Sequence, residues 1–398
     1  MLLQPLDQLN EPLLQKLCDD RCPESLSLEF KREIPGNSDK EKHEICKDIA
    51  ALANTDGGDL VYGLEEHAGA ASAIHPITSE PADAAMRRIA QVLDAGIEPR
   101  IQGVKMRHVD VAGGYTVVVR VPASFDGPHC IRTNNSRRFV MRNGTNTSDM
   151  SFDQLRGAFD RTATLADRAR HFIADRLQQV AARKTTSPLM EGPQWIVHLV
   201  PVAGLAGRRT VDLRSIYSKT FTDFLGHDWG GGSRTFNFDG LLIHPGGKQD
   251  DGFYAYNQIF RTGSLEGAQL GGATREVSPG VEKSIVWSLD MSMFFYSSVK
   301  QYLASMKAWG FAGPAVLSVA ILNVKGFELA IGDIFHRFSR ATADRPNLIP
   351  SELWIEDIDS ISIDEAMRPL LDNLWQGFGA ERCLDFDDKT GAFSPRRG

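Results

Sequence analysis

The chain has 398 residues, of which 42% are hydrophobic and 24% charged, and its formal net charge is −7 with an isoelectric point near 5.8. This is the composition of a globular protein, and the length favours two domains, with three as the alternative. The acidic balance argues against a general nucleic-acid coat, which would be basic overall, but it is compatible with a local basic surface.

The sequence carries no signal for secretion or for a membrane span. Its longest apolar run, Gly313–Val324, is too short to cross a bilayer, and residues 1–17 lack the basic start and apolar block of a signal peptide. The five cysteines are scattered and odd in number, which favours reduced thiols. We therefore expect a cytoplasmic protein that does not contact membranes.

The first half of the chain alternates strand and helix patterns. Residues 1–17 predict a short amphipathic helix, and Leu26, Leu28 and Phe30 alternate with polar residues, which predicts a strand with one buried face. Residues 38–58 predict a helix that Ser38 or Asp39 caps. A second helix is predicted at 81–97, and further strands at 59–66, 100–111, 114–124 and 136–144.

The second half predicts another α+β region after a helical connector. A new helix begins after Ser151, and residues 165–188 predict a long charged helix that links the domains. Residues 281–310 predict a helix that buries Trp287, Phe295 and other aromatic residues. The predicted fold class is α+β, with a helical extension at 1–21, an α+β domain at 22–161, a connecting helix at 162–188, and a second α+β domain at 189–398 with a sensing or interaction role.

Acidic residues lie before and within the first predicted strand and at the end of the second. Glu24 and Glu29 stand five residues apart with Lys31 close behind, and Glu65 and Glu66 end the segment 59–66. If the two strands pair in one sheet, three carboxylates converge, and such an oxygen-rich site suits Mg²⁺ or Mn²⁺, which can activate water against a phosphodiester. From spacing alone, the alternative is a set of unrelated surface glutamates.

A basic segment lies at residues 130–146, where no acidic residue occurs. Arginines interleaved with asparagine and threonine suit phosphate contacts from a strand edge, and a solvated hairpin is the alternative. Lys31 and Lys47 are expected to add to the same face. The candidate nucleic-acid-binding residues are therefore Lys31, Lys47, Arg132, Arg137, Arg138 and Arg142.

Four stretches of the sequence together resemble the Schlafen-type Alba-like domain. They are "ESLSLEFKR", "KHEICKDIAALANTDGGDLVYGLEE", "VRVPASFDGPHC" and "RRFVMRNGTNTSDMSFDQL", and they occur in the family's order between about Glu24 and Phe159. The resemblance implies a compact α+β fold that binds nucleic acid. In some animal members it implies a metal-dependent endoribonuclease that cuts transfer RNA and similar structured RNA.

The resemblance also implies a catalytic site. The Glu-x-x-x-x-Glu-Phe-Lys motif supplies Glu24, Glu29 and Lys31 here, and Glu65, with Glu66 as fallback, stands where the animal nucleases carry aspartate. These glutamates would hold Mg²⁺ or Mn²⁺, and Lys31 would offset phosphate charge. RNA is favoured over DNA as the partner, a homodimer is expected because only one such domain is visible, and the second domain is expected to sense a trigger or partner protein, in the family context of anti-phage defence. The alternative function is a non-catalytic DNA-binding or ATP-binding regulator.

Overall fold

The computed structural model describes residues 2, 4–124, 127–133, 136–207, 209–219, 224, 232–245, 251–311, 313–331 and 341–395. The chain divides into two compact units, residues 1–165 and 166–398, and both contain helices and strands, which confirms the α+β class. One helix, Phe152–Ala181, crosses the division without a break. The sequence analysis separated it into two helices, which is wrong because residues 158–166 contain neither proline nor glycine to end a helix.

The first unit contains three complete helices among its described residues. They are α1 (Glu11–Asp19), α2 (Asp39–Ala53) and α3 (Ala82–Gly96), followed by the long helix α4 (Phe152–Ala181). Its strands are β1 (Leu28–Lys31), β2 (Gly58–Tyr62), β3 (Leu64–His67), β4 (Ala70–Ile74), β5 (Ile97–Glu98), β6 (Lys105–Val111), β7 (Gly114–Val121), β8 (Cys130–Thr133), β9 (Ser136–Asn143) and β10 (Asn146–Asp149). Ser38 caps α2 in a capping box with Glu41, as one of the two predicted caps.

These strands form two four-stranded sheets and a hairpin. The first sheet has the order β1–β2–β7–β6, with β1 parallel to β2 and the other pairs antiparallel. The second has the order β10–β9–β8–β5 and is antiparallel throughout, and β3 pairs with β4 alone. Gly58 lets β1 and β2 approach closely, since a Cβ at this position would lie 2.4 Å from the backbone oxygen of Ser27.

Both faces of the first sheet are covered by apolar residues. Leu28, Phe30 and Val61 pack with α1 on one face, whereas Leu60 and Val119 pack with α2 and α3 on the other. Since side chains alternate along a strand, Glu29 and Lys31 lie on the face that α2 covers. The expectation of a solvated face for this carboxylate is therefore wrong.

The predicted strand 59–66 is in fact two strands. Gly63 adopts a φ of 92° and separates β2 from β3, and a Cβ there would lie 2.9 Å from Thr116 Cγ2. The turn directs β3 away from the first sheet to pair with β4. Glu65 and Glu66 therefore lie on a hairpin and not on the strand that pairs with β1.

The second unit is built on a larger antiparallel sheet. Its strand order is β12–β13–β14–β15–β11–β18–β20, and β16, β17 and β19 form a separate three-stranded sheet. The strands are β11 (Gln194–Pro201), β12 (Ser233–Phe236), β13 (Gly240–His244), β14 (Ala255–Phe260), β15 (Leu265–Leu270), β16 (Gly272–Ser278), β17 (Val281–Trp287), β18 (Ala315–Leu322), β19 (Glu328–Ala330) and β20 (Leu353–Ile355). The helices that follow α4 are α5 (Val202–Leu205), α6 (Leu213–Lys219), α7 (Ser288–Ala308) and α8 (Ile363–Gln376).

Two hydrophobic cores cover the two faces of this sheet. Residues of α7 and α8, among them Phe295 and Tyr302, form the larger core, and α4 packs on the opposite face. The predicted helix at 281–310 begins only at Ser288, because its first seven residues form β17, which pairs with β16 and β19. No helix in the described part of the chain is both long and apolar enough to span a bilayer.

Candidate nucleic-acid interface

The end of α2 connects the two sheets of the first unit. The Asn54 side-chain amide donates hydrogen bonds to the carbonyls of His129 and Val140, both at 2.9 Å, and its oxygen accepts one from the His129 backbone N–H at 2.7 Å. The Thr55 hydroxyl donates to the Ala51 carbonyl and accepts from the Arg142 backbone N–H. The Asn-Thr pair after the helix thus fixes β8 and β9 against α2.

Arg142 is buried and bound to Glu29. Only 1% of Arg142 and 6% of Glu29 is exposed, and the guanidinium donates to the carboxylate and to the backbone carbonyls of Ser25 and Thr145. Arg142 shares the helix-facing side of β9 with Val140, which is also buried. The prediction that Arg142 contacts phosphate is wrong, because this guanidinium is enclosed and neutralised by Glu29.

Lys31 lies among carboxylates next to this pair. Its ammonium group is 2.6 Å from Glu29 Oε1, and although burial lowers the pKa of Lys31, the nearby Asp48, Glu29 and Glu24 raise it above its usual value. Burial, with a further contribution from Glu29, raises the pKa of Asp48 on α2 to about 7. Glu29 is therefore held by two cations, and the neighbouring Asp48 lies where burial opposes its ionisation.

The three predicted metal ligands do not form a metal-binding group. Glu24 Oε1 accepts the backbone N–H of Phe30 at 2.9 Å, and Glu65 pairs with Arg32 at 3.1 Å on the β3–β4 hairpin. Glu66 accepts the backbone N–H of Gly69 within the same hairpin. Among the described residues, no three histidine, cysteine, aspartate or glutamate side chains are grouped so that they could hold a metal ion. The residues present therefore do not fit Mg²⁺ or Mn²⁺ in this conformation.

Three arginines remain exposed on the β8–β9 hairpin. Arg132 and Arg137 are cross-strand neighbours on one face, and both lie near Glu98, at 3.8 and 3.2 Å. Arg138 binds Asp149 at 3.0 Å and lies 3.3 Å from His43 of α2. We call Arg132, Arg137 and Arg138 the basic hairpin. Their side chains are between 45% and 63% exposed, so their ion pairs are weak and a phosphate can replace the carboxylates.

The start of α2 adds further nitrogen donors beside the basic hairpin. Lys42, His43 and Arg132 line one cavity of about 350 Å³, which α3 also lines. Burial and then Arg138 lower the pKa of His43, so this imidazole is neutral and able to accept or donate a hydrogen bond. Lys47 pairs with Glu44 one turn along the helix and is half-buried. These groups extend the polar surface from the hairpin onto α2.

Two positions that shape this region were not predicted from the sequence. Asp48 stands four residues before the buried Leu52 and therefore on the apolar face of α2, and a carboxylate at such a position signals a charged partner in the core. Asn54 follows the last helical residue, where its role as the link to β8 and β9 has no local signature. The signal at Asp48 is therefore visible in the helical periodicity of the sequence, whereas Asn54 offers none.

The first unit matches one known protein family. Residues 24–151 match the family model described as Schlafen, AlbA_2, and this segment is therefore a Schlafen AlbA_2 domain, as the resemblance predicted. No curated protein matches the chain.

The chain shows a partial likeness to several solved structures. One of them is the crystal structure of the DIP2311 protein from Corynebacterium diphtheriae, with 22% identity over 35% of this chain and a TM-score of 0.26. The match covers 25% of the length of that protein.

Proposed function

We propose that the first unit binds nucleic acid through the basic hairpin and the start of α2. The Schlafen AlbA_2 family suggests nucleic-acid binding, and it matches the segment that contains these residues. The observation that carries the proposal is the exposure of Arg132, Arg137 and Arg138 together beside Lys42, while Arg142 is used internally. Exposed guanidinium groups bind phosphate oxygens in a bidentate manner, which suits a nucleic-acid backbone.

Charge reversal at the basic hairpin tests this proposal. We expect the double substitution Arg137→Glu and Arg138→Glu to weaken binding of transfer RNA by at least roughly tenfold, because two charged contacts to phosphate are lost. Fluorescence anisotropy with labelled transfer RNA measures the change.

The matched control is Lys16→Glu with Arg21→Glu. It changes the charge by the same amount at exposed positions of α1 and the turn after it, and α1 packs on the face of the first sheet that α2 does not cover. Equal loss of affinity in the two double variants would show a general charge effect and remove the basic hairpin from the site.

RNA in preference to DNA, and cleavage of structured RNA, are finer proposals. The support for cleavage is the carboxylate motif with Glu24, Glu29 and Lys31. A non-catalytic regulator that binds DNA is the second candidate, and the observation that favours it is the neutralisation of Glu29 by Arg142 and Lys31. A homodimer and a trigger-sensing second unit are further proposals, and light scattering distinguishes a dimer from a monomer of 43.9 kDa.

Chelation of divalent cations separates binding from cleavage. We expect transfer RNA to bind equally well in Mn²⁺ and in EDTA, because cationic side chains, and no group of three carboxylates, form the described surface. The same samples, resolved on a denaturing gel, report cleavage. Fragments that appear only with Mn²⁺, and that Glu24→Gln abolishes without loss of binding, would establish the nuclease, whereas intact RNA under all conditions would establish the regulator. Loss of binding in EDTA would contradict the proposed surface.

A further inference from the structure

An aromatic stack lies at the edge of the large sheet in the second unit. The Tyr217 ring of α6 contacts Arg234, whose guanidinium carbon is 4.1 Å from the ring centroid, and Phe236, whose ring centroid is 5.0 Å away at an interplanar angle of 21°. Arg234 and Phe236 are two residues apart in β12 and therefore lie on the same face of the strand. The Arg234 guanidinium also donates a hydrogen bond to the Tyr217 backbone carbonyl. The three groups thus form an ordered stack.

The stack is open toward solvent. Phe236 is 46% exposed and Phe238, in the turn that follows, is 93% exposed. This turn is well anchored, because the Gly240 backbone N–H donates to Asn237 Oδ1 at 2.7 Å and Arg261 Nε donates to the Phe238 carbonyl at 3.1 Å. A large apolar ring held in water on a fixed turn is typical of a binding anchor.

The surroundings of the stack are cationic. Arg214 is exposed one turn before Tyr217 on α6, and Arg261 is exposed beside the turn. The acidic residues within 212–219 and 232–240 are Asp212, whose carboxylate caps α6 at the Arg214 and Ser215 N–H groups, and Asp239. β12 is the last strand of the described sheet on this side and pairs with β13.

We propose that this stack is a second binding site, for single-stranded nucleic acid. A nucleobase is flat and can stack on the exposed Phe236 ring, whereas an aliphatic side chain of a protein partner cannot bind there by stacking. The arginines around the stack suit the phosphates that accompany each base. Aromatic platforms of this type bind bases with little sequence preference. The site goes beyond the proposed function of the first unit and does not depend on it.

The test uses the full chain and a single-stranded 12-nucleotide oligouridylate that contains one 2-aminopurine, whose fluorescence is quenched when it stacks. It is made in the Arg137→Glu, Arg138→Glu background, so that the basic hairpin does not contribute. We expect saturable quenching, and we expect Phe236→Ala with Phe238→Ala to weaken binding by roughly 5–100-fold and abolish most of the quenching.

Further variants keep the test independent of stability. Phe236→Trp retains a flat ring and should bind at least as well as the parent, whereas Phe236→Leu keeps apolar bulk and should lose the quenching. Leu384→Ala removes a comparably exposed apolar side chain elsewhere in the second unit and should change neither signal. An oligouridylate that does not bind, or one that binds and is quenched equally by parent and Phe236→Leu, overturns the site. Equal binding by Phe236→Leu and Phe236→Trp would show that ring stacking does not hold the oligouridylate, and it also overturns the site.

Discussion

Replacing Glu29 by alanine is expected to lower the free energy of unfolding by about 3–5 kcal/mol. Arg142 is only 1% exposed. After the substitution, its guanidinium keeps the backbone carbonyls of Ser25 and Thr145 as hydrogen-bond partners. A buried cation without a counter-ion is far more costly than the loss of a surface ion pair. Arg142→Ala is expected to have an effect of the same order, since Glu29 then keeps Lys31 alone.

Urea unfolding followed by far-ultraviolet circular dichroism measures this change. Tryptophan fluorescence reports the unfolding of the second unit separately, because all six tryptophans lie in that unit. The control is Glu65→Ala, which breaks the exposed Arg32–Glu65 pair and should cost about 1 kcal/mol or less. A Glu29→Ala variant as stable as Glu65→Ala would contradict the buried ion pair.

The stability of Glu29→Ala also determines how a loss of RNA cleavage in a Glu29 variant must be interpreted. A variant that loses RNA cleavage because its first unit unfolds says nothing about a metal ligand. Glu24 is the sharper position for that test, because its carboxylate accepts one backbone N–H and has no ion pair with a described residue. The double substitution Glu29→Met with Arg142→Met should recover most of the lost stability, as replacing a whole buried ion pair by apolar residues often does.

Substitution of Glu266 by glutamine is expected to destabilise the second unit by about 3–5 kcal/mol. Glu266 is fully buried, and its two oxygens accept hydrogen bonds from Arg176 at 2.7 and 2.8 Å, from His198 Nε2 at 2.8 Å and from the Tyr256 hydroxyl at 2.8 Å. Burial opposes ionisation of this carboxyl, but Arg176 and His198 lower its pKa to about 2. Glutamine retains the shape and loses the charge that balances Arg176.

The depressed pKa fixes the sign of the pH dependence. The contribution of Glu266 to stability is fully present above the pKa of a glutamate in the unfolded chain, about 4.3, and is lost as the pH falls towards about 2. Unfolding followed by tryptophan fluorescence at pH 7 and at pH 3 should therefore show a large difference between wild type and Glu266→Gln that shrinks at the lower pH. Glu352→Ala, which breaks the exposed Arg170–Glu352 pair, is the control and should change little. A constant difference between pH 7 and pH 3 would contradict this account.

Much of the fold is predictable from the sequence because its signals are local. The cap at Ser38 and the apolar stripe of α2 specify that helix, and the buried strand β18 is a continuous apolar run. The turn at Gly63 had a signal, since a glycine within a strand pattern indicates a bend, but the sequence analysis continued the strand through it. That single turn is what separates Glu65 from Glu29.

The candidate site was harder to predict because its pairs are distant in the sequence. Glu29 and Arg142 are 113 residues apart, and their contact depends on how α2 holds the second sheet against the first. Sequence spacing groups Arg142 with Arg138, whereas burial separates them: one guanidinium neutralises a carboxylate in the core and the other reaches the surface. The composition of the basic segment therefore does not show which of its arginines are exposed.

The salt dependence of transfer RNA binding tests the proposed nucleic-acid interface most directly. Binding constants are measured from 50 to 200 mM salt for the wild type and for Arg137→Glu with Arg138→Glu. Because each phosphate contact releases counter-ions, we predict a steep fall of log K with log salt for the wild type and a slope shallower by about 2 for the double variant. Wild-type binding that is independent of salt, or equal slopes for the two proteins, would contradict an interface formed by the basic hairpin.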